Sequence, residues 1–220
     1  MRFFYHNDGW SGTVSAWKFF WDMFALRKKA VVHFNEFDVS SKNQVVLSFD
    51  DGYKNFLKYA FPILKLFQYK FELFVIGEYY TGDTISERNL VRNWMSKKDL
   101  VRIVQTSKGR LQYHTRTHYR LTDLEDTEML EKEIRLPEGL QQLDPAGFSW
   151  LAYPYCNFND RIIEIVKKYY QGARAGPNGK ARDHPDAVFA MQSIMVHQGT
   201  NGGAAFVKED RDLSFPETPA

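Results

Sequence analysis

The chain contains one cysteine, Cys156, so no intramolecular disulfide can form. Charge of one sign is hardly in excess: 29 basic residues face 27 acidic ones, and no Lys/Arg run is long enough to act as a tail. Nucleic acid needs a concentrated cationic footprint and is therefore disfavoured as a partner. No apolar run reaches the length of a membrane span; the most aromatic stretch, Trp17 to Leu26, is interrupted by Lys18 and Asp22 and reads as an amphipathic helix. Met1 to Trp10 turns polar before a signal-peptide core could develop, which favours a cytoplasmic location. Neither linker nor internal repeat is visible, and 220 residues with 44% hydrophobic content suit one core rather than two. A single domain over residues 1–197 is expected, followed by a loosely ordered tail, 198–220, Gly-rich and then charged.

What is present begins with Val45-Val46-Leu47-Ser48-Phe49-Asp50-Asp51-Gly52, an apolar run suited to a strand covered on both faces, closed by two carboxylates. Successive strand side chains point to opposite faces, so the turn at Gly52 must re-aim one carboxylate if both serve one site. The pair then suits two different tasks, although Asp-Asp-Gly is also ordinary turn chemistry.

Tyr113-His114-Thr115-Arg116-Thr117-His118 carries two imidazoles four residues apart, which can meet on a helical turn or converge from a strand-to-loop bend. Asp51 can add a hard oxygen ligand. Two His and one carboxylate leave positions open for water and substrate, as in a catalytic rather than a structural zinc site. The expected cofactor is a divalent metal, Zn2+ first, with Co2+, Ni2+ or Mn2+ as alternatives. A His-x-x-x-His pair alone is weak evidence; beside Asp-Asp-Gly at a strand end it is much stronger.

A third stretch, Leu151-Ala152-Tyr153-Pro154-Tyr155-Cys156, completes a pattern that resembles the polysaccharide deacetylase family, also called NodB-homology or carbohydrate esterase family 4. That family carries Thr/Ser-Phe-Asp-Asp-Gly, His-Ser/Thr-x-x-His and Arg-x-Pro-Tyr-Gly in this order. The likeness runs from roughly Val14 to Val196. It implies an irregular (β/α)7 barrel with Asp50 as base, Asp51, His114 and His118 as metal ligands, and the backbone N–H of Tyr155 helping to hold an oxyanion. Pro154 and Tyr153 are expected beside it at the substrate. A late Leu-x-His of the family corresponds to Met195-Val196-His197, making His197 the candidate acid, with His184 as the fallback. Two departures stand out: the family arginine of the third motif is Ala152, and its final glycine is Cys156. Some relatives with Ala-Tyr-Pro-Tyr also lack that arginine, so activity is still expected, and Arg174 is the candidate substitute. A nucleophilic role for Cys156 is disfavoured, since no nearby histidine orients it.

Helix and strand signals alternate, as in an α/β fold with a parallel sheet and its site at the strand C-terminal ends. Helices are expected over Ser15–Lys28, about Lys54–Phe67, from Ser96 to near Gly109, and over Asp160–Tyr169. A Thr122-x-x-Glu125 capping box is expected to start another at about Asp123. Strands are expected over Phe71–Ile76, into His114, over Phe148–Tyr153, at Gly172–Ala175 and over Val188–Val196. Of the aromatics, Tyr153 and Tyr155 are expected at the site, while Trp94 and Trp150 are undecided.

The function these readings imply is metal-dependent N-deacetylation of an acylated amino sugar. Without a secretion signal, the expected substrate is an intermediate of surface-glycan assembly, such as a nucleotide-linked or lipid-linked sugar or an O-antigen unit of bacterial lipopolysaccharide. A hydrolase of a non-sugar amide and a carbohydrate-binding relic are the alternatives. A two-carboxylate glycosidase is disfavoured, because adjacent Asp residues cannot flank a glycosidic bond at about 5 Å or more.

Overall fold

The structure is a computed structural model that describes residues 5–7, 10–12, 14–38, 40–81, 94–177, 179–180 and 185–193. Six parallel strands lie side by side in chain order: β5 (Ser48–Phe49), β6 (Phe71–Val75), β7 (Gly109–Tyr113), β8 (Trp150–Ala152), β9 (Gly172–Gly176) and β10 (Met191–Gln192). The sheet curls into a half-barrel, the open form of the expected barrel. On its β5 side, β3 (Ala30–Val31) runs parallel to β4 (Gln44–Val45). The chain continues from β4 through Val46 and Leu47 into β5, and Leu47 O accepts from Glu72 N at 2.8 Å. A short antiparallel hairpin, β1 (Tyr5–Asn7) and β2 (Trp10–Gly12), precedes this unit.

Strand alternation splits the apolar residues into two cores. Phe71, Leu73, Val75, Leu111, Tyr113 and Leu151 face the helices, where they meet Phe61 and Leu64 of α2 (Asn55–Phe67), Leu100 and Ile103 of α4 (Lys97–Thr106), and Ile162 and Val166 of α6 (Asp160–Val166). Helix α1 (Ala16–Ala25) packs on α2, and α3 (Glu78–Thr81) follows β6. The opposite face of the sheet gathers Phe34, Val46, Phe74, Trp150 and Ala152, with Phe34 stacked on Trp150 at 4.4 Å between ring centroids. Trp150 is thus a core residue, and its Nε1 donates to Asn35 Oδ1. Trp94 instead stacks on Tyr53 and meets the Tyr79 ring at a tilt.

Among the described residues, no helix is long and apolar enough to cross a membrane. Helix α4 starts with the expected reciprocal cap between Ser96 and Asp99, and α6 with Asn159 accepting from Ile162 N. The helices expected to reach Lys28 and Tyr169 end at Ala25 and Val166, and three further boundaries differ from expectation. The Thr122-x-x-Glu125 box is not used: Leu121, fully buried, anchors a 3-10 turn (Leu121–Asp123), and α5 (Thr127–Ile134) begins where Asp126 accepts from the Glu128 and Met129 amides. Strand β8 begins only at Trp150, because Phe148 takes left-handed backbone (φ 56°) while its amide donates to Leu111 O. The last strand is short, since Ala187–Ala190 forms a 3-10 turn before Met191–Gln192. Its expected continuation to Val196, like the tail 198–220, lies outside the described residues.

Candidate metal centre

The chain turns as soon as β5 ends. Asp51 (φ 69°) and Gly52 (φ 77°) are both left-handed, and Gly52 N donates to Asp50 O at 2.9 Å. This turn aims the two carboxylates at different partners. Asp51, 4% exposed, places Oδ1 3.5 Å from His114 Nε2 and 3.5 Å from His118 Nε2. Asp50 places Oδ2 3.9 Å from His114 Nε2 and accepts a hydrogen bond from Arg174 Nη2.

His114 follows β7, and its Nδ1 donates to the Ala152 carbonyl at 2.8 Å. That bond fixes the tautomer and leaves the Nε2 lone pair facing Asp51. Burial, helped by the His118 and Arg174 charges and opposed by Asp50, pushes its pKa down to about 3, so the ring is neutral, as a ligand must be. His118 (φ 63°) lies at the end of a loop that Thr115 (φ 64°) begins, and its amide donates to Thr115 Oγ1. Five of the seven non-glycine residues with positive φ among those described are Asp51, Thr115, His118, Tyr155 and Cys156. Such backbone costs about 1–3 kcal/mol per residue and persists where the surroundings over-determine it.

The ligating atoms of Asp51, His114 and His118 all lie within 4.8 Å of one another. Ligands held at about 2.0–2.1 Å from a tetrahedral zinc stand about 3.3 Å apart, close to the two 3.5 Å separations between Asp51 and the histidines. A carboxylate with two imidazoles is also the donor chemistry of such an ion, so the residues fit a divalent metal.

Asp50 stands beside the ligand cluster, paired with Arg174. Burial would raise its pKa, but the Arg174 charge, the imidazoles and the Arg174 hydrogen bond together hold it below the usual carboxylate range. Its Oδ1 is buried with no hydrogen-bond partner among the described residues. Arg174 is itself buried on β9, directly opposite Ala152 in the strand register, with its guanidinium over the Phe74 ring. From the strand beside Ala152, Arg174 thus reaches the Asp50 carboxylate.

The third motif divides. Tyr155 (φ 57°) faces the site, its ring 4.9 Å from that of His118. With Thr117, His118, Tyr119, Arg120 and Asp123 it lines an open pocket of about 490 Å3. Pro154 is buried at the start of the turn that positions Tyr155. Tyr153, expected at the substrate, is instead 1% exposed: its hydroxyl donates to Phe189 O and its ring stacks on Phe158, because it directly follows β8 and points into the helix-side core. Cys156 (φ 55°) adopts a glycine-like conformation and contacts Gly176, where any Cβ would collide with its sulfur. Burial raises the thiol pKa, which argues against a nucleophilic thiolate. His197 and His184 lie outside the described residues.

One contributor escaped the sequence reading. Glu133 on α5 accepts from Thr117 N (3.0 Å) and Thr117 Oγ1 (2.8 Å), while its carbonyl accepts from Arg116 N (2.9 Å). It clamps the loop that presents His118, and nothing in its local sequence distinguishes it from a surface helix glutamate.

Residues 38–171 match the polysaccharide deacetylase family. The chain belongs to that family. Asp50, Asp51, His114, His118 and the Tyr153-Pro154-Tyr155 stretch fall inside the matched segment, whereas Arg174 falls just beyond it. Its sequence is 22% identical to YxkH of Bacillus subtilis (strain 168) over 166 residues, covering 74% of this chain and 55% of that protein. The chain thus spans about half the length of that relative. Its fold is similar to BC0361, a polysaccharide deacetylase from Bacillus cereus (TM-score 0.69, 21% identity, 89% of this chain and 62% of that one). It is also similar to the Streptococcus pyogenes deacetylase PplD (TM-score 0.66, 19% identity, 83% and 80%).

Proposed function

We propose that the protein is a metal-dependent hydrolase that removes the N-acetyl or related N-acyl group from an amino sugar of a polysaccharide or glycan precursor. The observation that carries this reading is the convergence of Asp51, His114 and His118 beside an Asp50 carboxylate held by Arg174. A divalent metal, zinc by this donor set, would supply a polarised acyl oxygen and a more acidic water. Asp50, kept anionic by Arg174, takes the proton of the attacking water. The Tyr155 amide is assigned to the developing oxyanion, and His197 to protonation of the leaving amine. Membership of the family supports the reaction class. The pocket beside His118 supports a sugar over a compact apolar amide, because it is open and mostly lined by polar side chains. The deacetylase unit is assigned to residues 1–197.

The test is acetate or formate release from a panel of N-acylated amino sugars, with chelator and after restoring zinc or cobalt. Release that chelation abolishes and metal restores is expected. Release indifferent to chelation, or none from any amino sugar by metal-loaded protein, overturns the reading.

A further inference from the structure

Helix α1 is apolar on two sides, although a helix on a protein surface needs only one buried stripe. Met23 is buried in the core, with Ala16 and Phe19 packed against it. On the flank turned from that core, Trp17 is 70% exposed, and Trp21 and Phe24 are 37% exposed each. The spacing 17, 21, 24 puts these three rings on one stripe. They touch one another, Trp17–Trp21 at 5.6 Å and Trp21–Phe24 at 5.5 Å, and Phe20 joins them to Phe67 of α2. Leu66, next to Phe67, is 69% exposed. Half of the large hydrophobic side chains found exposed among the described residues therefore lie on this helix pair, the others being Tyr119, Met129, Tyr169 and Val188.

The charges carried by this helix pair and the turn after α1 are almost all of one sign. Residues 16–29 and 55–67 hold Lys18, Arg27, Lys28, Lys29, Lys58 and Lys65 against a single carboxylate, Asp22, which Lys18 engages at 2.7 Å. Arg27 lies 4.1 Å over the Phe24 ring, at the junction of the aromatic stripe and the Arg27-Lys28-Lys29 run.

We propose that this face docks the protein on a lipid bilayer bearing anionic headgroups. Trp and Phe flanked by Lys and Arg are the side chains an interfacial helix uses: the rings enter the headgroup boundary and the cations meet lipid phosphates and carboxylates. A 10-residue helix is far too short to cross, so it would lie in the membrane plane. Charge complementarity favours this occupant over a second copy of the chain, whose matching face would bring the same cations together. The inference does not depend on the metal centre.

The test is flotation of the full chain with vesicles of phosphatidylcholine alone or with phosphatidylglycerol added, at low and high salt, alongside tryptophan emission. Expected are binding to the anionic vesicles, a blue shift on binding, and release at high salt. Trp17→Ser combined with Trp21→Ser should abolish binding, and Arg27→Gln and Lys28→Gln should each weaken it about fivefold. All variants should keep the circular dichroism of the parent and its turnover of a small soluble substrate. The proposal is overturned if folded wild-type protein ignores anionic vesicles, or if the variants bind as well as it does. It is equally overturned if the chain is a dimer that the tryptophan variants dissociate and that binds no vesicle.

Discussion

Asp50 and Asp51 are chain neighbours with opposite tasks, because left-handed backbone at Asp51 and Gly52 turns one towards the imidazoles and leaves the other for Arg174. Replacing a ligand and replacing the base should therefore fail differently. Asp51→Ala, His114→Ala and His118→Ala are each expected to lose bound metal, read by elemental analysis after dialysis. Asp50→Asn is expected to retain it while losing about 10²- to 10⁴-fold in turnover. Full metal content in two of the three alanine variants would remove the ligand assignment. Arg174 governs a second observable. Because it helps hold Asp50 below its unfolded value, the stability this provides is present at neutral pH and fades as pH falls through the folded pKa. The acid limb of kcat/KM should accordingly lie below the usual carboxylate range. Arg174→Met should move that limb to higher pH, and Arg174→Lys should partly restore it; a limb that stays in place would assign it to another group.

At the scale of elements, the loop between β7 and α5 carries the ligand whose position is least secured by a strand. Thr115 to His118 leaves the sheet through two left-handed residues and is held by Glu133 on the following helix. Such supporting contacts affect metal affinity by about 10- to 100-fold when removed. Glu133→Ala should weaken metal binding by that order while leaving helix content unchanged, since α5 keeps its Asp126 cap and its buried Leu130 and Ile134. Competition with a chromogenic chelator measures this, and unchanged affinity would reduce Glu133 to a surface residue.

For the whole molecule, the half-barrel depends on a buried acid remote from the motifs. Glu72, with no exposed surface, accepts from His33 Nδ1 (2.8 Å), Phe34 N (3.1 Å) and Gln112 Nε2 (2.8 Å), joining the Phe34 segment and β7 to β6. Gln112 passes the network on by accepting from Trp150 N. Glu72→Ala would strand two buried donors and the half-buried His33, and should cost about 3–5 kcal/mol, measured by urea unfolding; a loss within about 0.5 kcal/mol, as for an ordinary surface substitution, would discount the network. Much of the architecture is legible locally. Apolar runs, the Ser96 and Asn159 caps and the strand ends at Asp50 and His114 depend on neighbours within a few residues, and they specify an α/β chain with chemistry at its strand ends. The sequence by itself also singled out Asp51, His114 and His118, since fixed residue types at short spacing are what a metal demands. Only the tertiary structure decided that Arg174 reaches Asp50 from a chain distance of 124 residues, that Glu133 clamps the His118 loop, and that Tyr153 faces the core while Tyr155 lines the pocket. These outcomes depend on strand register, helix docking and positive φ, which arise when distant segments meet and leave no mark on the local pattern.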